Sequence, residues 1–175
     1  MNKYDTRKPV IIAMLIALQI VFVRFLSIGS GSIRISLGFF PVAVASMLLG
    51  PIGGGVVGVL SDIVGMLIFP REGVYFPLFT LNEFLYGVGF GLMLYKKNLS
   101  GVWLSSFVAL QFIVINLVLT SAWLYLYYIL IVSAPQGYWL IFTQRLLAAA
   151  VNLPVQILGI NLLNKYLREP LARFM

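Results

Sequence analysis

Residues 37–69 read LGFFPVAVASMLLGPIGGGVVGVLSDIVGMLIF, and these 33 residues carry one charged side chain, that of Asp62. A helix that crosses the hydrocarbon core of a bilayer needs roughly 20 mostly apolar residues. The Gly50–Pro51 pair interrupts the run and is typical of a tight turn. The stretch therefore predicts two membrane helices, residues 37–49 and 52–69, of which the first is short.

The composition of the whole chain excludes a soluble domain. Of its 175 residues, 61% are hydrophobic and 10% are charged, whereas soluble domains contain roughly 45–50% apolar residues with glycine included. Six spans would use about 120 residues, which leaves no room for a soluble catalytic domain. The chain contains no cysteine and no histidine, so we expect no enzyme, no metal site and no cofactor that needs thiolate or imidazole ligands.

Four further apolar runs flank the opening stretch and complete the predicted fold. We expect an all-α membrane protein, a bundle of six transmembrane helices that forms a single membrane domain over residues 1–175. The four further helices are predicted over residues 9–26, 78–95, 102–132 and 138–167.

The placement of the 12 basic residues predicts the orientation. With six spans, both termini lie on one side of the membrane. That side would hold Lys3, Arg7, Lys8, Lys96, Lys97, Lys165, Arg168 and Arg173. The other side would hold Arg24, Arg34, Arg71 and Arg145. Because basic residues concentrate on the cytoplasmic side, we predict cytoplasmic termini, and the net charge of +7 needs no nucleic-acid partner.

Polar side chains converge in the outer half of the predicted bundle. Ionisable residues at membrane depth are costly and usually mark function. The predicted residues are Asp62 and Glu83, then Asn116, Thr120, Trp123 and Tyr127 at steps of 4, 3 and 4, and Arg145, Ala149, Asn152 and Gln156 at the same steps. Such steps place side chains on one helical face, so we predict a ligand pocket that opens to the outside.

A structural reading of the same residues stays open. Asp62 or Glu83 can pair with Arg145, and the amides can tie helices together. Tyr125, Tyr127 and Tyr128 can belong to an interfacial aromatic belt.

The polar residues also indicate the chemistry of a ligand. The outer arginines Arg34 and Arg71 suit carboxylates, because guanidinium binds carboxylate in a fork. Deeper in the pocket, Asp62 or Glu83 can accept hydrogen bonds from an amino-substituted heteroaromatic ring, and Trp123 can stack on that ring.

Small residues recur at four-residue steps. Ala13 and Ala17 form one pair, and Gly54 and Gly58 share a face with Asp62. Such steps let helix backbones approach closely. The glycine run at residues 50–55 is not followed by the Gly-Lys-Ser/Thr of a phosphate-binding loop, so pumping driven by ATP would need a partner.

Four short motifs resemble a known family. They are RISLGFFP (34–41), GPIGGGVVGVLSD (50–62), FP (69–70) and YFPLFT (75–80). Together they resemble the S components of energy-coupling factor (ECF) vitamin transporters, and among these the folate-specific type.

The resemblance implies a substrate-binding subunit of a bacterial plasma membrane importer of the ABC type. Such a subunit captures a vitamin from outside, here folate, and docks on a transmembrane coupling subunit (EcfT-like) that carries two cytoplasmic ATPases (EcfA-like). Ala13 and Ala17 match the motif that the family uses for docking. The family's ligand site lies at the outer loops and outer helix ends. The candidate ligand contacts are Arg34, Asp62, Arg71, Tyr75, Phe76, Glu83, Asn116, Trp123, Tyr127, Arg145 and Asn152.

Two alternatives remain at this point. Pantothenate or another carboxylated vitamin would satisfy the basic rim without the aromatic pocket. A stand-alone ion-coupled carrier would use Asp62 and Glu83, and uptake by the chain alone in vesicles without ATP would favour it.

Overall fold

The computed structural model of the chain describes residues 7–30, 33–70, 74–97, 99, 101–133 and 136–167. These residues form five helices and one short β-hairpin. The helices are α1 (Arg7–Arg24), α2 (Phe39–Ile68), α3 (Pro77–Leu94), α4 (Gly101–Val132) and α5 (Tyr138–Tyr166), and the strands are β1 (Ile28–Ser30) and β2 (Ile33–Ile35).

The predicted helices 37–49 and 52–69 form the two arms of α2, residues 39–49 and 51–68. Gly50 has non-helical backbone angles (φ 82°, ψ −175°), in a region that favours glycine. The chain folds back there, since Gly54 lies directly against the side chain of Ser46, although eight residues of straight helix would separate them by about 12 Å. The predicted break is therefore in the right place, and its two sides pack against each other.

Glycines hold α2 and α3 in close contact. A Cβ on Gly87 would meet the backbone of Gly54 and Gly55, and one on Gly58 would meet the backbone of Glu83. The Ser46 hydroxyl donates to the Gly87 carbonyl over 2.8 Å. The glycine steps therefore serve helix packing, as their spacing indicated.

The apolar core occupies one half of the bundle. Met47 of the first α2 arm, Phe90 of α3, Leu104 of α4 and Ile160 of α5 are fully buried in one cluster. The Tyr95 ring lies against Gly50 at this end. The other half, where the β-hairpin lies, is therefore free to hold polar groups.

The hairpin is a feature that sequence analysis missed. The residues between the predicted helices 9–26 and 37–49 were assigned no strand. The structure pairs β1 and β2 antiparallel, with Ile28 opposite Ile35, and β2 packs against α5.

The exterior of the bundle is apolar. Met14, Leu67 and Val102 are 68%, 78% and 79% exposed, which suits a lipid environment. Helices α2 to α5 are long and apolar enough to cross a membrane. α1 has three charged residues among its 18. The predicted helical membrane protein is therefore confirmed, with a short β-hairpin added between α1 and α2.

Candidate ligand-binding site

A cavity of about 660 Å³ lies in the half of the bundle that holds the β-hairpin. All five helices contribute to its walls. Its size falls within the roughly 300–1,000 Å³ of small-molecule sites. The polar lining residues are Gln19, Ser36, Glu83, Tyr86, Asn116, Tyr128, Gln144, Arg145, Asn152 and Gln156. The aromatic and aliphatic walls include Phe39, Phe90, Phe112, Leu124 and Ile141.

Four of the predicted site residues line this cavity together: Glu83, Asn116, Arg145 and Asn152. The α5 stripe of Arg145, Ala149, Asn152 and Gln156 lines the cavity throughout. It does so because α5 is a continuous α-helix, in which steps of 4, 3 and 4 keep one face. A carboxylate, a guanidinium and several amides thus meet in one space between aromatic rings.

The predicted stripe on α4 is not a single cavity face. Asn116 lines the cavity and donates from Nδ2 to the Tyr86 hydroxyl. Trp123 and Tyr127 are absent from the lining, and Leu124 and Tyr128 take their places.

The cause of this difference is a π-helical segment, Ile113–Leu119, within α4. A π turn accommodates one residue more than an α turn. Beyond the segment, the cavity face is therefore shifted by one position, from Trp123 to Leu124 and from Tyr127 to Tyr128.

The displaced aromatic residues have other partners. The Trp123 indole N–H donates to Asn82 Oδ1 over 3.0 Å. The Tyr127 hydroxyl accepts from the Val74 N–H over 3.1 Å, and its ring packs edge-on against Phe76 at 5.7 Å. In this structure Trp123, Tyr127 and Phe76 therefore support the walls and the end of the bundle.

Asp62 lies in a side chamber of about 40 Å³ that shares Gln19, Val23 and Glu83 with the main cavity. Its Oδ2 accepts a 2.7 Å hydrogen bond from the Thr80 hydroxyl, which is also 2.7 Å from the Tyr75 hydroxyl. A chamber of this size can hold a water molecule or two. Asp62 is thus next to the cavity and joined through Thr80 to the segment before α3.

The remaining predicted residues divide into two groups. Arg71 and the side chain of Arg34 lie outside the described residues. Ala13 and Ala17 are exposed on α1, while Leu15 of the same helix is buried in a small cluster with Ala45 and Val57. The alanines therefore face away from the bundle.

Gln19 of α1 is a lining residue that sequence analysis missed. It is 5% exposed, it borders both the cavity and the side chamber, and no described residue hydrogen-bonds its Oε1. A buried acceptor without a donor is rare. The signal was present, since Gln19 is the one polar side chain between Lys8 and Arg24.

Comparisons with known proteins agree on a family. A family model described as the S component of ECF-type riboflavin transporters matches residues 3–168. The folate transporter FolT of Clostridium novyi (strain NT) is 39% identical over 148 residues, which are 85% of this chain and 82% of that protein.

Two further matches carry the same name. A folate transporter FolT of Leuconostoc mesenteroides is 27% identical over 156 residues, 89% of this chain and 83% of the relative. A crystal structure of FolT bound with folic acid superposes with a TM-score of 0.81 at 32% identity, covering 93% of this chain and 95% of the other.

Proposed function

The chain belongs to the S components of ECF-type transporters, and from that premise we propose that it captures folate from outside the cell and delivers it to an ECF module. S components are non-catalytic transport subunits. Proteins named as folate transporters match most of the chain, and a solved relative was crystallised with folic acid. The observation that carries the proposal is the 660 Å³ cavity that joins Glu83, Arg145 and several amides between aromatic rings.

The depth of the lining residues suggests how folate lies. Arg145 is seven residues from the start of α5 at Tyr138, about 10 Å along a helix, whereas Asn152 is about 21 Å along it. Carboxylates are costlier to desolvate than neutral rings. We infer that the glutamate part binds near Arg145 and that the pterin lies deeper, near Asn116 and Asn152.

The remaining candidate contacts stay proposals. The pterin amino group would donate to Glu83 or, through the side chamber, to Asp62. The segment with Arg71, Tyr75 and Phe76, the hairpin residue Arg34, and the supporting residues Trp123 and Tyr127 would close around the outer part of the ligand.

The membrane arrangement follows from counting the α2 arms separately. Residues 39–49 and 51–68, together with α1, α3, α4 and α5, would form the six helices of a single membrane domain, the first arm of α2 being a short one. Both termini would then be cytoplasmic in a bacterial plasma membrane. The lysines at 96 and 97 follow α3 at the Gly50 end of the bundle, which supports this end as the inner one.

Delivery would depend on partner subunits. The exposed Ala13 and Ala17 would dock on an EcfT-like coupling subunit, and two EcfA-like ATPases would supply the energy. The small side chains support this role, because they permit close helix approach.

Titration of the purified chain tests the substrate. We expect folic acid to bind and to quench tryptophan fluorescence, with riboflavin and pantothenate as competitors that fail to displace it. Riboflavin is the pertinent comparison, because the matching family model carries its name and it has no carboxylate for Arg145. Tight binding of either competitor without folic acid would overturn the substrate and leave the family membership untouched.

Reconstitution tests the mode of transport. Vesicles that contain this chain alone and no ATP should bind folic acid without accumulating it. Accumulation driven by an ion gradient would contradict the dependence on an ECF module and support the carrier alternative.

A further inference from the structure

A buried hydrogen-bond network joins α3 to α4 behind the cavity wall. Asn82 Nδ2 donates to the Thr120 hydroxyl over 3.0 Å, and Asn82 Oδ1 accepts from the Trp123 indole over 3.0 Å. Asn82 and Thr120 are 6% and 8% exposed. Neither residue lines the cavity. The network therefore uses both ends of a buried amide for contacts between helices, away from the ligand space.

The same network is attached to the π segment. The Thr120 hydroxyl donates to the Ile115 carbonyl over 2.8 Å, and the Thr120 backbone N–H is directed to that same oxygen. Ile115 lies five residues before Thr120, which is the hydrogen-bond step of a π turn. Thr120 thus holds the turn through its backbone and its side chain together.

The register of α4 decides which side chains reach the ligand space. π turns are rare and are frequently found at functional sites. If residues 113–119 returned to α geometry, Trp123 and Tyr127 would share the face of Asn116, as their spacing alone predicts. In the structure, Leu124 and Tyr128 occupy that face. The Thr120 hydroxyl and the Asn82 amide lie at the end of the π segment, where the two registers diverge.

We propose that Asn82 and Thr120 are positioning residues that hold α4 in its π register, so that Asn116, Leu124 and Tyr128 line the ligand cavity together. This inference rests on the proposed folate-binding function for its meaning. Its structural content, the register, can be measured without any ligand. Asn82 acts through Thr120, and neither touches folate.

Cysteine accessibility measures the register directly, because the chain has no cysteine. The reporter is Leu124→Cys, which faces the cavity, labelled with a small water-soluble thiol reagent. Thr120→Val removes the hydroxyl at nearly constant volume. We expect the labelling rate of Leu124→Cys to fall roughly tenfold, which corresponds to a shift of about 1.4 kcal/mol in the equilibrium between the π and α registers. Thr120→Ser keeps the hydroxyl and should label at the parent rate.

A control variant and a second background distinguish a change of register from a general destabilisation of the fold. Thr143→Val removes a threonine hydroxyl of α5 that donates within its own helix, and it should leave labelling unchanged. Thr120→Ala provides a second background if Thr120→Val does not remain monodisperse. Parent-like labelling of Leu124→Cys in a folded Thr120→Val or Thr120→Ala background would overturn the proposal.

Binding provides the second readout. Thr120→Val should weaken folic acid binding roughly tenfold. Combining it with Tyr128→Ala should weaken binding by less than the product of the single effects, because the register change already removes Tyr128 from the cavity face. Multiplicative effects would contradict positioning of Tyr128 by Thr120. If the parent chain fails to bind folic acid, the proposed function fails, and the labelling experiment still decides the register.

Discussion

Gln19 gives the sharpest test of the cavity, because one substitution should change stability and affinity in opposite directions. The Gln19 side chain is 5% exposed, and its Oε1 atom has no hydrogen-bond partner among the described residues. Gln19→Leu keeps a similar volume and removes the orphaned acceptor. An unsatisfied buried polar group costs about 1–3 kcal/mol, so the ligand-free variant should unfold at a higher temperature than the parent.

The same substitution should weaken ligand binding. If a pterin or amide N–H of folate pairs with Gln19 Oε1, the variant loses one hydrogen bond of about 0.5–1.5 kcal/mol net, which lowers the affinity roughly two- to tenfold. The assay is thermal unfolding in detergent without ligand, followed by calorimetric titration with folic acid.

A matched control comes from Gln111 of α4. Its Oε1 is also buried without a partner among the described residues, but it does not line the cavity. Its Nε2 donates to the Tyr86 carbonyl over 2.9 Å. Gln111→Leu should therefore leave folic acid affinity unchanged. Parent-like affinity of Gln19→Leu for folic acid, or a lower stability of the ligand-free variant, would contradict this role of Gln19.

Three further predictions address the ligand, the packing and the partner. Arg145→Ala should weaken folic acid much more than pteroic acid, which lacks the glutamate, as measured by paired titrations; equal losses would place the glutamate elsewhere. Gly87→Ala should destabilise the fold by about 1–3 kcal/mol, because its Cβ would meet the α2 backbone, while Gly137→Ala, with nothing within 4 Å, should unfold like the parent. Ala17→Leu should abolish folate uptake in a strain that supplies the ECF module yet leave folic acid binding by the purified chain intact; normal uptake would exclude α1 as the docking face.

The helical class and the position of the cavity lining on α5 followed from the sequence for simple physical reasons. Long apolar runs predict membrane helices, because a helix that crosses a bilayer must be long and mostly apolar. The Gly50–Pro51 break could be read because glycine accepts the backbone angles that a reversal requires. The residues from Arg145 to Gln156 share one cavity-lining face, as their spacing predicted, because regular α geometry places residues at such steps on one side of a helix.

The lining of α4 could not be predicted in the same way. Its spacing placed Trp123 and Tyr127 beside Asn116, and the π segment replaced them with Leu124 and Tyr128. That segment is held by Thr120, whose hydroxyl accepts a hydrogen bond from Asn82 of a different helix. Gln19 was overlooked for a related reason, since a single polar residue in an apolar helix acquires meaning only when its neighbours in space are known.

The sequence by itself determined that the chain is an apolar bundle with charges at its helix ends, a turn at Gly50, and a set of polar residues at membrane depth. These features depend on the chain's local chemistry and on the bilayer as solvent. Tertiary structure alone decided which polar residues share the cavity, because contacts between helices set the register of α4 and the close α2–α3 packing that leaves the other half of the bundle open.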